Sequence, residues 1–209
     1  MAAQPTDRDL LLAWQGGDRS RGSELFSRHA ASIMRFFRNK VAGAAEELTQ
    51  QTFLALVESI DRYRAESSFR GYLFGVARNQ LLMHLRRRST DRESFDPSTW
   101  SVVDAGAAPD RIAARHQEHT LLLAALQRIP VDMQIVFELH YWEGLTVSEI
   151  AEAMETAPGT IKARLARGRA RLREQLDALE ANATVLASTV DNLDRWASTL
   201  PSVTVAHEA

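Results

Sequence analysis

Apolar residues recur along this chain at intervals of three and four almost throughout, the spacing of one face of an α-helix. Asp7 to Gln15 opens the series, and the Gly16-Gly17 pair stops it. Ser20 to Val41 predicts a longer helix carrying Leu25, Phe26, Ile33, Phe36 and Phe37. A third helix runs from about Glu46 to Ile60. Its predicted inner face is Phe53, Leu56, Val57 and Ile60, with Glu47, Gln51 and Glu58 outside. Asp61 to Ser68 is polar and reads as a loop. Phe69 to Arg88 predicts a fourth helix ending in Arg86, Arg87 and Arg88, where positive charge suits the helix dipole.

The pattern then breaks. Ser89 to Asp110 is rich in serine, aspartate and proline and has no sustained apolar period, which predicts a linker that is flexible until docked. Periodicity resumes near Arg111, with one helix running to Ile129 and stopping before Pro130. Asp132 to Trp142 follows, with Met133, Val136, Phe137 and His140 on one side and Glu143-Gly144 at its end. Leu145 to Ala151 opens a short helix, in which Thr146 is a plausible N-cap and Glu149 completes a capping box. Ile150, Ala151 and Met154 supply its inner face. Glu155 to Ala157 makes a turn, and Pro158 starts the next helix at the position where its missing N–H costs nothing. No segment carries a strand-and-hairpin pattern.

These elements predict an all-α protein of two small helical domains, residues 7–88 and 111–177, joined by a linker at 89–110. Beyond them, Leu172, Leu176, Leu179, Ala183, Leu186, Val190, Leu193, Ala197 and Leu200 form a heptad stripe ended by Pro201. Residues 178–209 therefore read as a helical extension whose first expected role is packing, ahead of pairing with another protein or covering a basic face with its acids.

The basic face lies in Pro158 to Arg173, which holds six basic residues and no acidic ones. On a helical projection Ile161, Leu165, Gly168 and Leu172 make an apolar stripe. Thr160, Arg164, Arg167 and Arg171 flank one side, and Lys162, Arg169 and Arg173 the other. Ala163, Ala166 and Ala170 lie opposite the stripe. A helix buried on one side, basic on both shoulders and small at its crown fits a DNA major groove. With the short helix before it, this is a helix-turn-helix.

Net charge sharpens the picture by its distribution. The whole chain of 209 residues carries −2. From Glu174 onward six acids face one base, so the basic footprint is local. The absence of cysteine excludes disulfides, zinc fingers and thiol catalysis, and fits a reducing cytoplasm. No apolar run approaches the roughly 18 residues of a membrane span, and the N-terminus lacks a signal pattern. Among the six histidines only His116 and His119 stand close at helical spacing, with no HExxH or glycine-rich phosphate loop. The chain is expected to be cytoplasmic, without cofactor, metal site or catalytic residue. His140 is expected in the core.

Two segments resemble a known family. Glu46 to Arg88, EELTQQTFLALVESIDRYRAESSFRGYLFGVARNQLLMHLRRR, looks like the second conserved region of the extracytoplasmic-function RNA polymerase sigma factors of the sigma-70 superfamily. Leu123 to Leu176, LAALQRIPVDMQIVFELHYWEGLTVSEIAEAMETAPGTIKARLARGRARLREQL, looks like the fourth. The resemblance covers about Asp7 to Gln175 and implies a promoter-specificity subunit of bacterial RNA polymerase. It would bind the clamp and flap surfaces of the core enzyme. Its fourth region would read the minus-thirty-five element as duplex, and its second would read and melt the minus-ten element. Thr160, Lys162, Arg164, Arg167 and Arg171 are the expected minus-thirty-five contacts.

A melted strand needs a basic groove with aromatic platforms. Arg62, Tyr63, Arg64, Phe69, Arg70, Tyr72, Arg78, Asn79, Arg86 and Arg87 are the expected minus-ten set, with Phe74 left to the core. Tyr72 stands where the family usually has tryptophan. Glu46, Glu47, Gln50, Gln51 and Phe53 would form the polymerase-docking surface. There the family's acidic cluster is thinned, with Ala44 and Gln51 at two acidic positions. Docking is therefore expected to be weaker or conditional, and a kinase acting on Thr49 or Thr52 would restore negative charge. An anti-sigma factor, which the family often has, is a further expected partner. The rival readings are a helix-turn-helix regulator and a sigma mimic, neither of which would direct initiation.

Overall fold

A computed structural model describes residues 4–60, 63, 68–89, 95–103 and 117–179. Thr6 caps the first helix, α1 (Asp7–Gln15), through a capping box with Asp9, and Gly16 ends it. Asp18 caps α2 (Arg19–Val41). A single 3-10 turn, Ala42–Ala44, leads into α3 (Ala45–Ser59). Ser68 caps α4 (Phe69–Arg88) by accepting from the Gly71 N–H. The second group comprises α5 (Gln117–Leu126), α6 (Val131–Phe137), α7 (Val147–Ala153) and α8 (Pro158–Ala178). Among the described residues no strand forms; Ser101 and Pro130 make one isolated bridge.

In the first unit α1 packs on α2, α2 on α3 and α3 on α4. Leu25, Ile33, Phe36, Phe37, Leu73, Phe74 and Leu81 are fully buried between them. Removing side chains of that size from water is worth about 1.5–3 kcal/mol each. Phe74 lies edge-on to Phe36 at 5.7 Å, a core residue as its spacing predicts.

The inner face of α3 differs from the expected one. Leu56 and Ile60 are buried as expected, but the rest of the buried face is Ala45, Leu48, Thr49 and Thr52, while Val57 is 48% exposed and Phe53 half-buried. The cause is local hydrogen bonding. Thr49 Oγ1 donates to the Ala45 carbonyl and Thr52 Oγ1 to the Leu48 carbonyl, both at 2.7 Å. A threonine that satisfies its hydroxyl on the preceding turn can be buried without an orphaned polar group. A reading that counts threonine as polar rotates the helix part of the way, toward Phe53 and Val57.

Around α8, the second unit packs α5, α6 and α7. The segment expected as one helix from Asp132 to Trp142 is α6 followed by a π-turn, Glu138–Trp142. On that turn His140 is half-buried rather than in the core. Gly144, at φ 64°, turns the chain into α7 through a conformation that other residues adopt at a cost. Part of the expected linker is docked here. Phe95 and Val102 are buried, Trp100 accepts from the Val131 N–H, and Pro97 from the Asp132 N–H. Residues 90–94 and 104–116 of the linker and of the following predicted helix lie outside the described residues, as does the extension from residue 180 onward.

Candidate nucleic-acid interface

The helix-turn-helix is built by local chemistry. Thr146 Oγ1 accepts from the Glu149 N–H at 3.2 Å, and Glu149 Oε2 accepts from the Thr146 N–H at 2.8 Å. Glu155, with φ 50°, makes the turn, and Pro158 sits in the first turn of α8. Ile161, Leu165, Gly168 and Leu172 are all buried against the unit. This orientation leaves Lys162, Ala163, Ala166, Arg167, Ala170 and Arg171 exposed, with Thr160 half-exposed. Small residues at the crown let the helix approach a groove closely, while long cationic side chains on its flanks reach phosphates and base edges.

Two arginines of α8 are otherwise engaged. Arg164 Nη2 is 2.7 Å from Asp132 Oδ2 and is largely covered. Arg169 donates to the Tyr141 hydroxyl through Nε at 2.9 Å, which ties the helix to the π-turn.

The expected minus-ten residues divide more sharply. Arg62 and Arg64 lie outside the described residues. Tyr63 and Tyr72 stack at 4.4 Å, and the Tyr72 hydroxyl donates to Ser59 Oγ at 2.6 Å. Gln15 Nε2 pins the chain beside them by donating to the carbonyls of Ile60 and Tyr63. Asn79, Arg86 and Arg87 are exposed along α4. Phe69 needs correcting as a base contact. It is only 6% exposed, lies 5.6 Å from the His29 ring, and is part of the core that closes the start of α4. Arg70 and Arg78 point at the second unit, where Arg70 pairs with Glu143 at 3.0 Å and Arg78 with Asp132 at 3.7 Å.

On α3, Glu46, Glu47 and Gln50 are exposed and Gln51 donates to Glu47 Oε1 at 2.9 Å. Phe53 instead packs on Phe26 at 4.8 Å. The apolar part of this face is Leu54, 56% exposed, with Val57 beside it. Sequence reasoning missed Leu54 and turned Val57 inward. Thr49 and Thr52, proposed as phosphate acceptors, are buried with their hydroxyls bonded, so neither is presented to a kinase in this fold.

A helical unit carrying an exposed basic helix-turn-helix, together with a second helical unit, defines a two-unit DNA-binding protein. Comparison with known proteins agrees. Residues 24–90 match the family described as Sigma-70 region 2, and residues 119–172 that described as Sigma-70, region 4. The chain is 32% identical over 170 residues to RNA polymerase sigma factor CarQ of Myxococcus xanthus, covering 80% of this chain and 95% of that protein. It is 27% identical over 198 residues to the ECF RNA polymerase sigma-E factor of Haemophilus influenzae, covering 86% and 100%. The fold is similar to that of the sigma factor RpoE solved with the anti-sigma factor NepR from Bartonella quintana, at TM-score 0.59 and 22% identity, covering 74% of this chain and 96% of that one. CnrH, solved with the cytosolic domain of CnrY, gives the same TM-score of 0.59 at 22% identity, covering 82% and 97%.

The chain belongs to the extracytoplasmic-function (ECF) group of sigma-70 family RNA polymerase sigma factors. It is an alternative sigma factor, a DNA-binding factor that directs transcription initiation. No helix of the described residues is long and apolar enough to cross a membrane.

Proposed function

We propose that residues 7–88 dock on core RNA polymerase and read and melt the minus-ten element, and that residues 111–177 read the minus-thirty-five element as duplex. Residues 89–110 join the two, and 178–209 form an appended segment. The observation that carries this reading is the exposed face of α8, where Lys162, Arg167 and Arg171 surround an alanine crown on a capped helix-turn-helix. Thr160 adds a hydroxyl at the N-terminal end of that face, and Arg164 joins it once released from Asp132.

In the first unit, Tyr63 and Tyr72 offer a stacked aromatic platform, and Arg62, Arg64, Arg70, Arg78, Asn79, Arg86 and Arg87 are the residues we assign to contact with the melted strand. The polymerase-docking surface is Glu46, Glu47, Gln50 and Gln51 with the apolar pair Leu54 and Val57. The protein works in the cytoplasm by binding alone, with no catalytic step, metal or cofactor of its own. An anti-sigma factor is a partner of the kind named with RpoE from Bartonella quintana.

Run-off transcription with purified core polymerase on a pool of promoter fragments tests the reading. Specific transcripts are the expected result. A protein that binds fragments yet never directs a start would instead be a helix-turn-helix regulator, and one that neither binds nor initiates would be a mimic.

A further inference from the structure

Tyr63 belongs to no helix: α3 ends at Ser59 and α4 begins at Phe69. Its partner in the stack is held differently. Tyr72 rises from the first turn of α4, and its hydroxyl donates to Ser59 Oγ, which donates in turn to the Ala55 carbonyl at 2.7 Å. A ring fixed by a helix at one end and by a bonded hydroxyl at the other has little freedom. Tyr63 is placed through its backbone. Its N–H donates to the Ile60 carbonyl at 3.1 Å. The Ile60 and Tyr63 carbonyls both accept from Gln15 Nε2, at 2.9 and 3.0 Å, across 45 and 48 residues of chain.

A carboxamide suits this task. Its nitrogen carries two N–H groups, one for each carbonyl. The Ile60 carbonyl lies at the C-cap of α3, where the helix's own ladder has ended, and the Tyr63 carbonyl lies in the connection beyond. Gln15 is itself firmly held. It is the last residue of α1, a helix fixed by its capping box, by buried Leu10 and Leu11 and by the Gly16 stop. The ring of neighbouring Trp14 lies so close to α2 that a Cβ added at Gly22 would stand 2.9 Å from Trp14 Cδ2. Trp14 also meets Phe26 edge-on at 5.1 Å.

We propose that Gln15 is a positioning residue for the melted minus-ten strand: it sets the Tyr63 ring against Tyr72, and Tyr63 is the ring on which an unstacked base lands. The inference rests on the proposed function, which puts the two tyrosines in contact with that strand. Gln15 acts through the Tyr63 backbone and not by touching DNA. What the ring recognises is the π-face that every nucleobase carries. A base that stacks on a ring already in place meets no ordering cost at the moment of capture, whereas a ring that must first be immobilised takes that cost out of the binding.

The test uses holoenzyme assembled from the full-length protein and core polymerase. Its probe is a fork fragment of a promoter selected by run-off transcription, with the minus-ten segment already single-stranded. Gln15→Met keeps the length of the side chain and loses both donors. Gln15→Glu keeps the shape and turns acceptors toward the two carbonyls. Each should weaken fork binding about five- to thirtyfold. Binding to a duplex that carries only the minus-thirty-five element, and affinity for core polymerase, should stay within about twofold of wild type. Tyr63→Ala should weaken fork binding at least as much as either. In the Tyr63→Ala background, Gln15→Met should add less than about twofold, because its effect passes through that ring.

A Gln15 variant that lowers the melting temperature or the polymerase affinity and leaves fork binding intact makes the residue structural and overturns the proposal. So does an equal loss from Gln15→Met with or without Tyr63. That comparison decides even where a variant is less stable, since a damaged fold lowers fork binding in both backgrounds alike. Fork binding unharmed by Tyr63→Ala removes Tyr63 from the strand's path, which overturns the minus-ten reading at that residue and the positioning role with it.

Discussion

Gly168 sits where α8 crosses α6, and Gly168→Ala should destabilise the second unit although alanine is the better helix former. A Cβ there would stand 2.3 Å from Phe137 Cε2 and 3.2 Å from Cδ2 and Cζ. Carbon atoms rest at about 3.5–4.0 Å, so the ring or the helix must retreat by roughly 1.2–1.7 Å. Phe137 is fully buried and packs on Tyr141 at 5.4 Å, which leaves the ring little room. Overpacking of this kind costs about 1–3 kcal/mol, and the clash places this site toward the upper end. Helix propensity returns about 0.8–1.0 kcal/mol. The net expectation is about 1–2 kcal/mol of destabilisation, and a fall in melting temperature of roughly 2–4 °C per kcal/mol for a chain of this size. Thermal denaturation followed by circular dichroism measures it. Phe137→Leu relieves the clash, so the double variant should be more stable than the sum of the two singles predicts, by about 0.5–3 kcal/mol of coupling. If Gly168→Ala matches or exceeds wild-type stability, or the pair shows no coupling, the close approach is not what requires glycine there.

Further expectations concern charge. His29 is buried beside Asp7, Nε2 to Oδ2 at 2.8 Å; burial lowers its pKa, although Asp7 pulls it part of the way back. The fold therefore prefers the neutral ring. That stability is present above the unfolded value of about 6.5 and is lost as pH falls through it toward the lower folded value. Denaturation midpoints should drop on acidification, and less in His29→Gln; equal slopes in the two proteins would count against the assignment. Arg167→Ala should weaken fragment binding and lower the slope of log affinity against log salt by about 1, an outcome read from binding titrations at several salt concentrations. On α3, Leu54→Asp should cut core-polymerase affinity without changing the melting temperature, because the side chain is 56% exposed. Ala44→Asp with Gln51→Glu should raise that affinity by about 1 kcal/mol per charge or less. Unchanged affinity in both would move docking away from this face.

The helices, their caps and the helix-turn-helix were legible in the sequence because their causes are local. Thr146 and Glu149, Pro158, the Gly16-Gly17 stop and the three-four spacing of α8 each act within a turn or two of the chain. Both sigma regions could be recognised for the same reason: they are contiguous runs. The orientation of α3 was not legible, since whether Thr49 and Thr52 count as polar depends on hydroxyl bonds that form only once the helix exists. The π-turn and the docking of Phe95 and Val102 against α6 likewise arise from packing between distant segments. So does the fate of Arg70, Arg78 and Arg164. As sequence, an arginine on a helix is a cation free to meet DNA, and Asp132, Glu138 and Glu143 are ordinary surface acids. Tertiary structure alone brings the acids and arginines together across chain separations as long as 108 residues. Coulomb attraction and desolvation depend on distance and burial in space, and neither is written in the spacing of residues along the chain.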